Sequence, residues 1–160
     1  MKKLLPLVAI FLLSLSVVAQ DTKPPKGFVR NYDKFKDLTE VSFTDSGFLP
    51  PYYTGWFRHE GQKLEADIDK FYITFRGYRC TGFCFKSPTL IFIIDGERLA
   101  MPRLDNLLSD TATWTLDRDT LSRITGAKLV EYQVGGFEGN WKDKTIPKFK
   151  TLLDLGTVKK

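Results

Sequence analysis

The stretch LIFIIDGERL, residues 90–99, determines how we interpret the fold. Its first five residues are apolar at every position, which is typical of a central strand covered on both faces. Asp95 and Gly96 follow directly, and Asp-Gly between two strand-like runs is the pair that a type I′ hairpin demands. The sequence therefore predicts an antiparallel hairpin of residues 90–94 with residues 97–101.

Strand-like segments lie on both sides of this hairpin. In residues 71–75, FYITF, three apolar side chains share one face and two other side chains share the opposite face. Residues 64–69, LEADID, are compatible with a short edge strand or a loop. Alternation or aromatic content predicts further strands in residues 37–44, 52–59, 111–116, 128–134 and 137–141, the last two joined at Gly135-Gly136.

Two short helices are predicted near the end of the chain. Asp117 lies where an N-cap is wanted, and Gly126 can end that helix. The last helix has Asp143 or Thr145 as its cap and Gly156 just past its end, and its apolar face contains Ile146, Phe149, Leu152 and Leu153. The expected fold class is therefore β-rich α+β: one domain with a mainly antiparallel sheet or sandwich and two short helices in the C-terminal third.

The first 19 residues are typical of a signal peptide. Lys2 and Lys3 precede an apolar run that ends in Val17-Val18-Ala19, so we expect Sec-route export with cleavage after Ala19. An uncleaved membrane anchor is the alternative, although the run is short for a span of ~20 residues. We expect residues 20–30 to be a flexible leader and residues 31–160 to form the single domain, in the periplasm or outside a bacterial cell, with no transmembrane segment in the mature chain.

The charge of the chain argues against nucleic acid as a partner. Without residues 1–19 the formal net charge falls from +5 to +3, and no run of Lys or Arg is long enough to follow phosphates. A protein or a cell-envelope component is the expected kind of partner. Four lysines around the start of the last helix can meet an anionic surface such as lipid or polysaccharide, or form a solvated helix face: Lys142, Lys144, Lys148 and Lys150.

Both cysteines of the chain, Cys80 and Cys84, lie in residues 78–88, YRCTGFCFKSP. Two cysteines in a small exported domain are expected to form a disulfide. Cα atoms four residues apart on a strand are about 13 Å apart, beyond the ~7 Å limit for a bridge, so the segment must turn, and Gly82 allows this. The alternatives are free thiols, or a periplasmic thiol-redox or copper-handling protein in which Cys80, Cys84 and His59 bind Cu(I).

Catalytic motifs are not apparent. His59 is the single histidine, and the G-x-S-x-G motif is absent. The segment with Glu65, Asp67 and Asp69 lacks the glycine and closing glutamate of a known calcium loop, and a hydrolase based on Glu97, Asp117 and Asp119 is a third hypothesis. We therefore predict no catalytic residues, no metal site and no cofactor, and an exported non-catalytic module with a binding, accessory or structural role.

Four aromatic residues are candidates for a contact patch on such a module. They are Tyr52, Tyr53, Trp56 and Trp141. Exposed aromatic clusters are typical of interaction sites, but the same residues are equally compatible with a place in the core.

The order of several segments carries a resemblance. These are residues 32–35 (YDKF), 39–41 (TEV), 71–75 (FYITF), 90–99 (LIFIIDGERL), 116–121 (LDRDTL), 127–134 and 149–153. In this order the chain resembles a group of small secreted bacterial proteins of unknown function. The resemblance implies a single exported domain, and it implies no activity, ligand or catalytic residue.

Overall fold

The computed structural model describes residues 23–45, 51–77, 85, 89–102, 110–141 and 144–157. These residues form one domain of antiparallel strands with two helices near its end. The strands are β1 Phe28–Asp33, β2 Leu38–Asp45, β3 Tyr52–Glu60, β4 Lys70–Arg76, β5 Thr89–Ile94, β6 Glu97–Pro102, β7 Thr111–Asp117, β8 Val130–Val134 and β9 Phe137–Trp141. The helices are α1 Arg118–Gly126 and α2 Ile146–Leu155. The predicted β-rich α+β class is confirmed.

The strands form two sheets that contribute to one core. One sheet has the order β1-β2-β3-β4-β7 and the other the order β6-β5-β8-β9. Buried side chains from both sheets and both helices belong to a single hydrophobic cluster. Trp141 of β9 connects the layers, because its ring centre lies 4.7 Å from Phe149 of α2 and 5.3 Å from Tyr53 of β3.

The Asp95-Gly96 turn has the predicted geometry. Asp95 has φ 48° and Gly96 has φ 92°, and positive φ at both positions is the type I′ signature. β5 pairs with β6 on one side and with β8 on the other. Its burial is one-sided, because Phe92 is buried whereas Ile91 and Ile93 are half-buried and line an open groove. The expectation that β5 is covered on both faces is therefore wrong.

The helix ends differ in how they are capped. Asp117 Oδ1 accepts a hydrogen bond from the Thr120 amide at 2.7 Å, as predicted for the N-cap of α1. Thr145 occupies the N-cap position of α2, but its side chain does not bond to the helix backbone. Gly156 follows the last turn, as expected, and Pro147 lies in the first turn, where proline is well tolerated.

One segment differs from its sequence interpretation, and for another the structure decides between the two alternatives that the sequence left open. β1 begins at Phe28, inside the predicted flexible leader, because the Phe28 ring packs 5.4 Å from that of Phe43 on β2. Residues 61–69 form a loop and not an edge strand, and the Ala66 amide donates to the Leu155 carbonyl. In the part of the chain described, no helix is long and apolar enough to cross a membrane.

Candidate functional site

A pocket of about 870 Å³ opens where the end of β2 and the start of β3 meet the start of α2. Its size is within the range of small-molecule sites. All of its described lining residues except Pro51 have a polar or charged group: Lys26, Asp45, Pro51, Tyr53, Tyr132, Lys144, Thr145 and Lys148.

The strand register explains how the polar groups come together. Asp45 is the last residue of β2 and lies directly opposite Tyr53 of β3, so both side chains are on the inner face of the sheet. Thr145 and Lys148 approach from α2, whose apolar face is held in place by Phe149 and Leu152. Four side chains from three elements therefore meet at one end of the core.

The carboxylate of Asp45 is the centre of the hydrogen-bond network. Its Oδ2 accepts from Tyr53 Oη at 3.0 Å and from Thr145 Oγ1 at 3.1 Å, and it lies 3.3 Å from Lys148 Nζ. Its Oδ1 has no hydrogen bond to any other described residue, and 24% of the side chain is exposed. Asp45 therefore retains one oxygen that can accept a hydrogen bond from a ligand.

The ionisation states of the pocket follow from these contacts. Partial burial by itself raises the pKa of Asp45, but the hydrogen bonds from Tyr53 and Lys148 and the charge of Lys148 outweigh it, so the net shift is downward from 3.8. Burial, together with the nearby charge of Asp45, raises the pKa of Tyr53 far above its usual range, despite a hydrogen bond from Thr145 that lowers it. Burial also raises the pKa of Tyr132. At neutral pH Asp45 is an anion and both phenols keep their protons.

The described lysine side chains give the pocket an excess of positive charge. Lys148 is paired with Asp45, whereas Lys26 and Lys144 are exposed and have no carboxylate partner among the described residues. Among the described lining residues, Asp45 is the single carboxylate and is paired with Lys148, so the two further lysines attract anions. Lys142, which the sequence grouped with Lys144, lies outside the described residues.

A second cavity of about 560 Å³ is the groove on the outer face of β5, β8 and β9. Ile91 and Ile93 form its floor, and Arg98 and Glu131 are among its polar walls. Gln133 Nε2 donates to Glu138 Oε1 at 2.6 Å along another wall. The groove contains charged side chains of both signs, so it does not favour anions as the first pocket does.

The four aromatic residues predicted as a contact patch do not lie on one surface. Tyr53 and Trp141 are buried in the core, with 7% and 1% of their surfaces exposed, so they do not contribute to a patch. Tyr52 and Trp56 lie on the outer face of the five-stranded sheet and are half-buried. Alternation along β3 places Tyr53 on the opposite face from Tyr52 and Trp56.

On the outer face of the sheet, the side chains around Trp56 make several specific contacts with one another. The Trp56 ring stacks on that of Tyr72 at 4.2 Å, and its Nε1 donates to Thr74 Oγ1 at 3.0 Å. Arg58 Cζ lies 4.9 Å from the Trp56 ring centre, and its guanidinium forms an ion pair with Glu40 at 2.8 Å. These contacts within the sheet are sufficient to explain why aromatic residues occupy these exposed-face positions.

Cys80 and Cys84 lie outside the described residues. The disulfide, the free thiols and the thiol-redox or copper alternative all stay predictions. His59, the third member of the copper hypothesis, lies near the end of β3, and its Nδ1 is 2.7 Å from the Glu60 carbonyl oxygen.

Three of the six carboxylates considered for metal binding or hydrolysis have structural contacts. Asp67 forms an ion pair with Arg118 at 2.6 Å, and Glu97 forms one with Arg123 at 2.6 Å. Asp117 is the N-cap of α1. Within the described ranges, no group of three or more His, Cys, Asp or Glu side chains is placed to hold a metal ion.

Sequence reasoning found part of the pocket. The lysine cluster around the start of α2 pointed to Lys144 and Lys148, whereas Asp45 and Lys26 were not singled out, because they precede α2 by about a hundred residues. Comparison with known proteins adds no relative: no family model matches the chain, and no curated protein or solved structure matches it significantly.

Proposed function

We propose that this protein is an exported, non-catalytic binding module that holds an anionic component of the cell envelope in the pocket beside Asp45. The observation that carries the proposal is the charge of the pocket. Lys148 is neutralised by Asp45, whereas Lys26 and Lys144 have no carboxylate partner among the described residues. Export rests on the N-terminal sequence, in which two lysines precede the apolar run.

A binding role suits the protonation states of the pocket. The raised pKa values of Tyr53 and Tyr132 keep both phenols neutral, and the lowered pKa of Asp45 keeps that carboxylate ionised. A general acid or base works best with a pKa near the operating pH, which none of these three groups has. Fixed charges and fixed donors favour the recognition of a ligand over proton transfer.

The lysines make the proposal testable. We expect polygalacturonate, a polyanionic polysaccharide, to bind at low ionic strength and to bind more weakly as salt is added, because the lysine contacts are exposed to solvent. Dextran, a neutral polysaccharide, should not bind. Isothermal titration calorimetry measures both interactions.

The decisive variant is the pair Lys26→Gln and Lys144→Gln. Both lysines are exposed, so the double variant should fold normally and should bind polygalacturonate at least about tenfold more weakly, the effect of ~1.4 kcal/mol in two charge contacts. The matched control is Lys70→Gln with Lys150→Gln, which removes the same charge from exposed positions outside the pocket. Equal losses in the two double variants, or a wild type that binds neither polygalacturonate nor sulfate at low salt, contradict the proposal.

A further inference from the structure

The polar groups of the pocket narrow the class of anion. Resting on the proposed function, we infer that the pocket recognises an acidic sugar, in which a carboxylate meets the lysines and a ring hydroxyl donates to Asp45 Oδ1. The inference deepens the proposal from anions in general to anions that carry hydroxyl groups. It depends on the different environments of the two Asp45 oxygens.

Asp45 Oδ2 is occupied by protein donors. Tyr53 Oη, Thr145 Oγ1 and Lys148 Nζ all lie within 3.3 Å of it. These contacts fix the orientation of the carboxylate, and Oδ1 has no hydrogen bond to the described residues. An ionised carboxylate accepts hydrogen bonds only, so Oδ1 suits a hydroxyl or another donor.

The same oxygen disfavours a bare anion. Sulfate attracted by Lys26 and Lys144 has no proton to donate to Asp45 Oδ1, and like charges at short range repel each other. A sugar acid avoids this repulsion, because it presents its carboxylate and its hydroxyls at different positions of one ring. Asp45 therefore acts as a discriminator among anions.

Tyr132 adds a second polar contact for a hydroxyl. It lines the pocket and is half-buried, and a phenol that keeps its proton can donate or accept. A volume of about 870 Å³ in an open pocket accommodates a sugar unit whose chain continues into solvent. The free sugar acid and the polysaccharide share this chemistry.

The test uses the variant Asp45→Asn, because the side chain of asparagine has nearly the same shape as that of aspartate. The amide oxygen of Asn can replace Oδ2 as the acceptor for Tyr53 and Thr145, and the amide nitrogen then presents donors in place of Oδ1. By calorimetry we expect the wild type to bind trigalacturonate at least tenfold more tightly than sulfate. In the variant trigalacturonate should bind about tenfold more weakly, whereas sulfate should bind more tightly because a negative charge is gone.

A second measurement uses only the wild-type protein, so that it does not depend on the folding of the variant. Trigalacturonate whose ring hydroxyls are acetylated keeps its charge but cannot donate to Asp45. We expect it to bind about tenfold more weakly than the unmodified trimer. Binding of the galacturonic acid monomer distinguishes the two possible sources of the ligand. Weaker binding of the monomer than of the trimer supports a polysaccharide, and equal binding supports a free sugar acid. Both ligands belong to the inferred class.

The outcomes separate the inference from the proposed function. If sulfate binds as tightly as trigalacturonate, or if acetylation and Asp45→Asn leave the preference unchanged, the inference is overturned while an anion pocket stands. If no anionic probe binds the wild type at low salt, the proposed function itself fails.

Discussion

Tyr53 Oη lies 2.7 Å from Thr145 Oγ1, and each of these oxygens lies within 3.1 Å of Asp45 Oδ2. Each hydroxyl has a single proton, so two protons serve three short contacts. The three groups therefore share their hydrogen bonds, and the loss of one hydroxyl leaves the other free to donate to the carboxylate. This triangle joins β2 and β3 to the first turn of α2.

Sharing of the protons predicts non-additive mutations. We expect Tyr53→Phe and Thr145→Val each to lower the free energy of unfolding by about 1 kcal/mol, the usual net value of one hydrogen bond. The double variant should lose more than the sum of the two, because Asp45 then loses both hydroxyl donors. Urea unfolding of the four proteins measures the coupling, and additive losses would show that the three contacts are independent.

The pKa of Asp45 predicts a dependence of stability on pH. Because the folded-state pKa lies below the unfolded value of 3.8, the contribution of Asp45 to stability is fully present above about pH 3.8. It is lost as the pH falls through the folded-state pKa. The difference in unfolding free energy between the wild type and Asp45→Asn should be constant near neutral pH and should shrink below pH 3.8. A difference that stays constant into the acid range argues against the ionic contacts with Lys148.

Gly55 in the middle of β3 should resist substitution. A Cβ atom at this position would lie 2.6 Å from Phe43 Cε1 and 3.0 Å from Phe149 Cε1, which is too close. We expect Gly55→Ala to lower the free energy of unfolding by about 1–3 kcal/mol, the usual cost of overpacking. Gly126→Ala is the control, since no atom lies within 4 Å of its added Cβ. Equal effects of the two substitutions in urea unfolding would contradict the packing around Phe43.

The state of the cysteine pair can be tested by thiol alkylation and mass measurement. If Cys80 and Cys84 are bridged in the exported protein, alkylation without reductant should leave the mass unchanged, and alkylation after reduction should add two groups. Addition of two groups without reductant indicates free thiols. Tight Cu(I) binding that Cys80→Ser abolishes would favour the copper-handling alternative.

Features that depend on neighbouring residues were predictable from the sequence. The Asp95-Gly96 turn requires positive φ at both positions, and Asp-Gly is among the few pairs that tolerate it. The N-cap of α1 depends on Asp117 and the amide of Thr120, three residues away. The apolar face of α2 follows from helical spacing alone.

The features that the sequence did not predict depend on contacts between residues that are far apart in the chain. β1 was missed because Arg30 and Tyr32 occupy inward positions opposite Val41 and Thr39, so the strand lacks apolar alternation. The burial of Trp141 depends on α2 packing beside it. Asp45 and Thr145 are 100 residues apart, and no local pattern links a strand-end aspartate to the cap of a later helix.

The location of bound ligand tests the central claim most directly. In a titration of isotopically labelled protein with trigalacturonate, followed by NMR through the backbone amides, we expect the largest shifts at Asp45, Tyr53, Tyr132, Lys144 and Lys148. The same titration of the Lys26→Gln, Lys144→Gln double variant should show only small shifts. Shifts centred on the groove at Ile91 or on the face at Trp56, or no shifts at all, would contradict the assignment of ligand binding to this pocket.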